Sequence, residues 1–195
     1  MATYGHVIKF ERIRQNIKQV HLAKDICTPA YLSKIENNYV VPSNELLGKL
    51  FKRLEIPSST SSISEEDYFK HVQEIYFEAL RKKDSVSIAI KLLEILNDHF
   101  VFSNPNYFYS YLLMILRLKM ISHNIGYDTK VYIIAISRLS VNFDTYQLFI
   151  FKSCLGYFHY SKNEFALALE SFESALKFHS KIEIKEWEIA DFFIF

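Results

Sequence analysis

The apolar residues of this chain recur at intervals of three and four, rather than in alternation, over almost its whole length. This spacing places them on one face of a helix, so it favours helices nearly throughout. Only four Gly and four Pro interrupt the 195 residues, and half of the residues are apolar. We therefore expect an all-α protein with a substantial core, divided into two units.

A Ser/Thr-rich stretch led by Pro, residues 57–64 (PSSTSSIS), predicts the linker between these units. We expect one domain at 1–56 and a helical repeat domain at 65–195. Residues 1–56 carry nine Lys and Arg against five acids, and the remainder carries 14 against 17. A basic head on an acidic body is what a DNA-contacting domain joined to a different domain would show.

Two short helices that meet across a tight turn are predicted by the segment Ile17 to Ser43, IKQVHLAKDICTPAYLSKIENNYVVPS. Their shared core comes from Leu22, Ala23, Ile26, Leu32 and Ile35. Thr28 can cap the second helix, and Pro29 occupies its first position, where a missing N–H is no loss. Asn38 follows as a candidate left-handed C-cap. The second helix therefore covers about residues 29–37.

The second helix has a short, basic, polar face opposite its buried side. Ala30, Ser33, Lys34 and Asn37 share this face, because they are spaced by three, four and seven. A helix of this size enters the major groove of DNA, where Lys34 can donate to guanine and Asn37 to a base or phosphate. A merely solvated face is the alternative for an arbitrary polar stripe, and the surrounding segment argues against it.

The pattern LAxxICTxxYLSKIEN, which begins at Leu22, resembles the Cro/repressor-like (XRE-type) helix-turn-helix. It is most similar to the version joined to tetratricopeptide (TPR) repeats in bacterial peptide-pheromone regulators of the PlcR, NprR and Rgg type. The resemblance covers residues 8–56. It implies a five-helix-type DNA-binding domain followed by a TPR-like α-solenoid of helical hairpins. It also implies quorum sensing by a homodimer that binds a palindromic operator in double-stranded DNA and a signalling oligopeptide in its TPR groove.

The resemblance also assigns roles to individual residues of the motif. Gln19, at the start of the first motif helix, is expected to contact phosphate. The positions expected to face the bases are Pro29, Ala30, Ser33 and Lys34. We assign Thr28, Asn37 and Asn38 to the same DNA-binding surface. The sequence departs from the family pattern at two positions. Lys18 stands where a capping Ser or Thr is usual, which costs roughly 1 kcal/mol of helix stability. Pro29 stands where related repressors often have a Gln that contacts a base.

Seven helices of similar length are predicted after the linker, which suggests stacked helical hairpins. We expect them at about 65–83, 85–98, 105–121, 129–138, 145–161, 164–178 and 183–195. One hairpin shows the TPR spacing of small and aromatic residues at Leu155, Gly156, Ala168, Phe172 and Ala175. The repeat length of about 34 residues then places Ile189 and Ala190 at the start of another repeat.

That last repeat is expected to be incomplete, because the sequence stops at residues 192–195 on a first helix. Either a partner chain covers these apolar side chains, or the sequence is a shortened version of a longer array. On the concave face we expect Ser153, Tyr157 and Tyr160 to contact a peptide. That these three side chains only pack the array is an equally open interpretation.

No catalytic or metal-binding constellation is evident, so we expect neither an enzyme nor a cofactor. The His and Cys residues lack zinc-type spacing, and Cys27 and Cys154 are interpreted as packing residues rather than nucleophiles. Two cysteines suggest the reducing cytoplasm. The apolar stretch 107–116 is ended by Arg117 and Lys119, so it is too short to cross a membrane.

Two functions remain open from the sequence. The first is a sequence-specific transcription regulator controlled by a peptide. The second is a DNA-binding or dimerising interaction protein without a peptide ligand, such as a shortened antagonist of a longer regulator.

Overall fold

The computed structural model describes residues 3–57, 63–82, 84–122, 126–179 and 181 of the chain. Within these residues all regular secondary structure is helical and no strand occurs, which confirms the all-α prediction. We call residues 3–57 the head and residues 63–181 the body.

The head consists of short helices with strong local end signals. They are α1 (Gly5–Arg14), α2 (Gln19–Ala23), α3 (Pro29–Glu36) and α4 (Asn44–Arg53). The Thr28 hydroxyl accepts from the backbone N–H of Tyr31 at 3.2 Å, so it caps α3 as predicted. Asn38 follows α3 with a φ of 57°, the left-handed geometry expected of it. The centre of the head is formed by the fully buried Ile8, Leu22, Leu32, Ile35, Leu50 and Leu54.

The body helices are longer and follow one another through short connections. They are α5 (Glu65–Lys82), α6 (Ser85–Asn97), α7 (Pro105–Ile121), α8 (Tyr127–Ser137), α9 (Thr145–Ser161) and α10 (Phe165–His179), with a 3₁₀ turn at Ser140–Asn142. These bounds agree with the predicted ones to within two residues. The Ser64 hydroxyl caps α5, as expected, by accepting from the N–H of Asp67 at 3.1 Å. The predicted helix 183–195 lies outside the described residues.

Helices α9 and α10 form a hairpin connected by residues 162–164. Gly156 is buried at the contact, and a Cβ added to it would lie 2.5 Å from the ring of Phe172. Ala168 and Ala175 are also buried. Small residues thus allow the close approach that the TPR spacing predicted. A TPR-like solenoid is compatible with this packing and stays a prediction.

The head is fastened to the body through α1. The ring of Phe10 meets Phe108 at 5.7 Å and Tyr132 at 5.1 Å, both nearly edge-on. His6 is 1% exposed, and its Nε2 donates to the carbonyl oxygen of Phe102 at 3.1 Å. Burial lowers the pKa of His6 to about 4, which keeps the ring neutral. The junction is therefore an interior contact as well as a connection along the chain.

A cluster of aromatic rings surrounds Phe102 at the start of α7. Phe102 is fully buried. The rings within 6.4 Å of it belong to Tyr68, Phe69, Phe100, Tyr107 and Tyr111. The Glu65 carboxylate accepts from the N–H groups of Ser103 and Asn104 at 2.7 and 2.9 Å. The loop that holds His6 is thus tied to the first turn of α5.

Candidate functional site

The outer side of α3 lies open on the surface of the head. Its exposed residues include Thr28, Pro29, Ala30, Lys34 and Asn37, and Ser33 is half-buried. On the opposite side, Leu32 and Ile35 are 0% and 1% exposed. The structure therefore brings the predicted polar face together on one short helix and presents it outward.

Two polar side chains of this face differ in what they already bind. Asn37 donates from Nδ2 to the carbonyl of Ser33 at 2.8 Å, and its Oδ1 accepts from Lys9 at 3.1 Å. The Lys34 ammonium has no hydrogen-bond or ion-pair partner among the described residues. Lys34 is consequently the cation of this face that can reach a ligand without first breaking a contact.

A buried carboxylate holds the other side of α3 in place. Glu36 is 3% exposed. Arg12 binds it with two hydrogen bonds, from Nε at 2.5 Å and from Nη2 at 2.9 Å. Gln19 donates to the same carboxylate at 2.7 Å, so the first residue of α2 is held against the end of α3. A buried charge needs such pairing, because desolvation otherwise costs several kcal/mol.

Sequence reasoning missed the role of Glu36. The signal was present, because Glu36 lies four residues after Leu32 and one after Ile35, and so continues their inward-facing side of the helix. A charge on an inward face calls for a partner, but its identity as Arg12, 24 positions earlier, depends on how the helices pack.

The side chain of Asn38 is turned toward α1 rather than outward. Its Oδ1 accepts from the backbone N–H of Gly5 at 3.1 Å. A Cβ on Gly5 would overlap the carbonyl oxygen of Ile35, so only glycine permits this approach of α1 to α3. The structure gives Asn38 a role in joining two helices, and this placement does not support the expected DNA contact of its side chain.

The turn between α2 and α3 is held by Arg53 of α4. Its Nη1 donates to the carbonyl of Leu22 at 3.0 Å and also to that of Lys24. Asp25 within this turn has a φ of 60°, which few non-glycine residues adopt. No local pattern indicates this contact, because Arg53 lies about 30 residues further along.

The comparison with known protein families bears on this same segment. A family model described as helix-turn-helix matches residues 8–60. Within this match, α2 and α3 are the two helices that meet across the tight turn. The match includes the exposed face of α3, the buried Glu36 and the turn held by Arg53.

A comparison with curated proteins extends the similarity beyond the helix-turn-helix domain. The chain is 27% identical over 170 residues to the transcriptional activator NprA of Geobacillus stearothermophilus. The alignment covers 87% of this chain and 41% of NprA, so the chain spans about two fifths of that relative's length. No solved structure matches significantly. These findings confirm the resemblance to the NprR type.

A groove of about 220 Å³ lies in the body, where α5, α7 and α9 face one another. Its walls include the aromatic Phe69, Tyr76, Phe77 and Tyr146 and the polar Gln73, Ser110 and Gln147. Gln147 donates to the Ser110 hydroxyl at 3.1 Å, which joins α9 to α7. Tyr76 accepts from Arg117 at 2.9 Å, which fixes its hydroxyl.

The three side chains predicted to bind a peptide lie further along α9. Ser153 is 3% exposed and donates to the carbonyl of Phe149 at 2.9 Å, so it packs inside the body. Tyr157 is half-buried, with its ring 5.3 Å from Phe172. Tyr160 is 58% exposed. They continue the helical stripe of Ile150, a groove residue, but the groove walls themselves were not predicted.

Membrane spans and metal clusters are both absent from the described residues. No helix among them is long and apolar enough to cross a membrane. They also contain no group of three or more potential metal ligands. Burial raises the pKa of the Cys154 thiol to about 12 and also raises that of Cys27, which disfavours the reactive thiolate at both.

Proposed function

We propose that this protein is a sequence-specific transcription regulator that reads the major groove of DNA with the outer face of α3. The observation that carries this proposal is the exposed face of α3 within the segment that matches the helix-turn-helix family. Lys34 is the base reader, because its ammonium can donate to guanine O6 and N7. Pro29, Ala30 and Ser33 approach the base edges beside it.

The first helix of the motif, α2, contacts the sugar-phosphate backbone of the DNA. Gln19 contacts phosphate from the N-terminus of α2, where free N–H groups favour an anion. Its Nε2 is held by Glu36, so its position is fixed before DNA binds. The exposed Lys18 and Lys24 flank α2 and add positive charge beside it. These contacts position the domain and carry no sequence preference.

One head makes too few contacts for useful specificity, so the functional unit is a homodimer on a palindromic operator. Two heads related by a twofold axis read half-sites that are one helical turn or a multiple apart. Light scattering of the chain, free and DNA-bound, tests this. A monomer at micromolar concentration in both states would exclude the dimer.

The groove between α5, α7 and α9 is the proposed site of a signalling oligopeptide. Its aromatic walls can hold apolar side chains, and Gln73, whose amide has no partner among the described residues, can bind a peptide backbone. The peptide would change DNA binding only if it prefers one arrangement of the two heads over another.

Binding-site selection tests the DNA interface. Lys34→Ala is expected to relax the preferred sequence and weaken binding by roughly 1–3 kcal/mol. Lys130→Ala, an exposed lysine on α8, is the matched control and should leave both unchanged. The proposed docking of α3 is wrong if Lys34→Ala returns the same motif with the same affinity.

Calorimetry with candidate peptides tests the groove. Gln73→Ala should lower the affinity for any peptide that the native chain binds. Tyr160→Ala, at the exposed end of α9, is the comparison, because the sequence predicted peptide contacts there. If no peptide binds and none alters DNA binding, an interaction protein without a peptide ligand is the better account.

A further inference from the structure

A larger cavity, of about 500 Å³, lies at the junction of the head and the body. Its walls come from α1, from the residues that follow α4, from the end of α6 and the loop after it, and from α7 and α8. It shares no lining residue with the groove between α5, α7 and α9. Its size falls within the range of small-molecule sites, about 300–1,000 Å³.

Aromatic side chains line much of this cavity, and two of them are tyrosines. Tyr132 is 6% exposed and lines the cavity beside Tyr111, Phe10 and Phe108. Neither tyrosine hydroxyl has a hydrogen-bond partner among the described residues. Burial raises the pKa of both phenols, so they stay neutral and can each donate or accept a hydrogen bond. Since both tyrosines line the cavity and neither hydroxyl has a partner among the described residues, both hydroxyls are available to a ligand.

The charged groups around the cavity sum to a negative charge. Three carboxylates and two cations line it. Arg14 pairs with Glu11, and Lys119 pairs with Asp128, both at 2.6 Å. Glu55 remains as the carboxylate with no ion pair among the described residues.

We propose that this cavity binds a small organic amine, with an aromatic ring and a protonated amino group. The ring would pack against Phe10 and Phe108, and the ammonium would face Glu55 and the phenols. A cation gains from the faces of aromatic rings as well as from the net negative lining, whereas an anion is repelled. This site goes beyond the proposed function, because it is separate from both the DNA-binding face and the peptide groove.

Such a ligand would act on the junction itself. It would touch α1 of the head and α7 and α8 of the body at once, so it stabilises their contact by RT ln(1 + [L]/Kd). The amine would thus be an effector that fixes the position of the helix-turn-helix domain relative to the body.

Three indole compounds with different charges test the proposal by calorimetry on the full chain without DNA or peptide. Tryptamine is a cation, tryptophol is neutral and indole-3-propionate is an anion, and all three carry the same ring. We expect tryptamine to bind at least about tenfold more tightly than indole-3-propionate. Glu55→Gln should weaken the binding of tryptamine about fivefold and leave the affinity for tryptophol unchanged. Glu173→Gln, an exposed carboxylate on α10, is the control.

A second variant tests the location independently of charge. Val101→Trp adds a large side chain to the half-buried loop at the cavity wall and should abolish binding while circular dichroism shows an intact fold. The proposal is overturned if the native chain binds none of the three compounds at millimolar concentration. It is equally overturned if the anion binds as tightly as the amine, or if both variants bind tryptamine like the native chain. None of these outcomes touches the DNA-binding test with Lys34→Ala.

Discussion

Helices α1 and α3 each have one side that the core of the head does not use, and the two sides are built differently. On α1 this side carries His6 and Phe10, both buried against the body. On α3 it carries Ser33 and the exposed Lys34. The aromatic side chains of α1 pack in the interior against the body. The short and charged side chains of α3 leave its outer side available to a ligand. The head therefore has a fixed side and a free side.

The two sides are not independent, because α1 and α3 are joined twice. Arg12 of α1 binds Glu36 of α3, and the N–H of Gly5 binds Asn38 just after α3. These two contacts fix the position of α3 relative to α1. The orientation of the proposed DNA-binding face is consequently linked to a contact on the other side of the head.

The largest expected effect comes from breaking the link between the two sides. Glu36→Ala leaves Arg12 without its partner in a largely buried position, so the free energy of unfolding should fall by about 3–5 kcal/mol. Urea denaturation measures this. Glu45→Ala removes an exposed carboxylate that pairs with Lys49 and should leave the midpoint unchanged. An equally stable Glu36→Ala protein would show that the ion pair does not couple the helices.

Acid is expected to weaken the contact between α1 and the body. The pKa of His6 is about 4 in the folded chain and 6.5 ordinarily, so between these values the unfolded chain binds a proton that the folded chain does not. The stability contributed by neutral His6 is full above pH 6.5 and is lost as the pH falls toward 4, by about 3 kcal/mol in total.

Urea denaturation at several pH values checks this effect. His6→Gln should remove that part of the pH dependence, whereas His21→Gln, which changes an exposed histidine of α2, should retain it. An unchanged profile in His6→Gln would assign the acid sensitivity to other groups.

On the free side, Gln19→Ala should weaken DNA binding by roughly 1 kcal/mol for every sequence alike, because phosphate contacts carry no base information. Fluorescence anisotropy with the selected operator and with a scrambled duplex measures both affinities. A loss confined to the operator would mean that Gln19 contacts a base.

The smallest effect is a gain of stability. Lys18 has the extended backbone of an N-cap before α2, but its side chain makes no capping hydrogen bond. Lys18→Ser should therefore raise the free energy of unfolding by about 0.5–1 kcal/mol. Thr28→Ser, which keeps the existing cap of α3, is the control. If Lys18→Ser gains nothing, capping does not limit the stability of α2.

The helix bounds were predictable because their signals are local. Thr28 with Pro29 begins α3, and Asn104 with Pro105 begins α7, each through contacts within a few residues. Periodicity also identified the inner side of α3. The exposed face of the helix-turn-helix domain therefore followed from a short stretch of sequence.

The contacts between distant segments were not predictable in the same way. His6 and Phe102 are 96 positions apart, and no local spacing indicates their hydrogen bond. Arg117 was interpreted only as the end of an apolar stretch, yet it is 5% exposed and donates to Tyr76. A helical pattern shows which side of a helix is buried, but not which other helix covers it. The groove and the junction cavity depend on that second kind of information.

The fastening of α1 to the body also has a timing consequence during synthesis. The buried apolar residues of the head run from Val7 to Ile56, so all of them have been made once residue 56 is reached. Tyr132, which covers Phe10, comes about 75 residues later, and at roughly 5–20 residues per second this takes about 4–15 s. Phe102 and Phe108, which contact His6 and Phe10, are made earlier in that interval, so the two side chains are covered in stages as α7 and then α8 are made. The apolar side of α1 is therefore exposed on the growing chain at first, and its cover is complete only when α8 emerges.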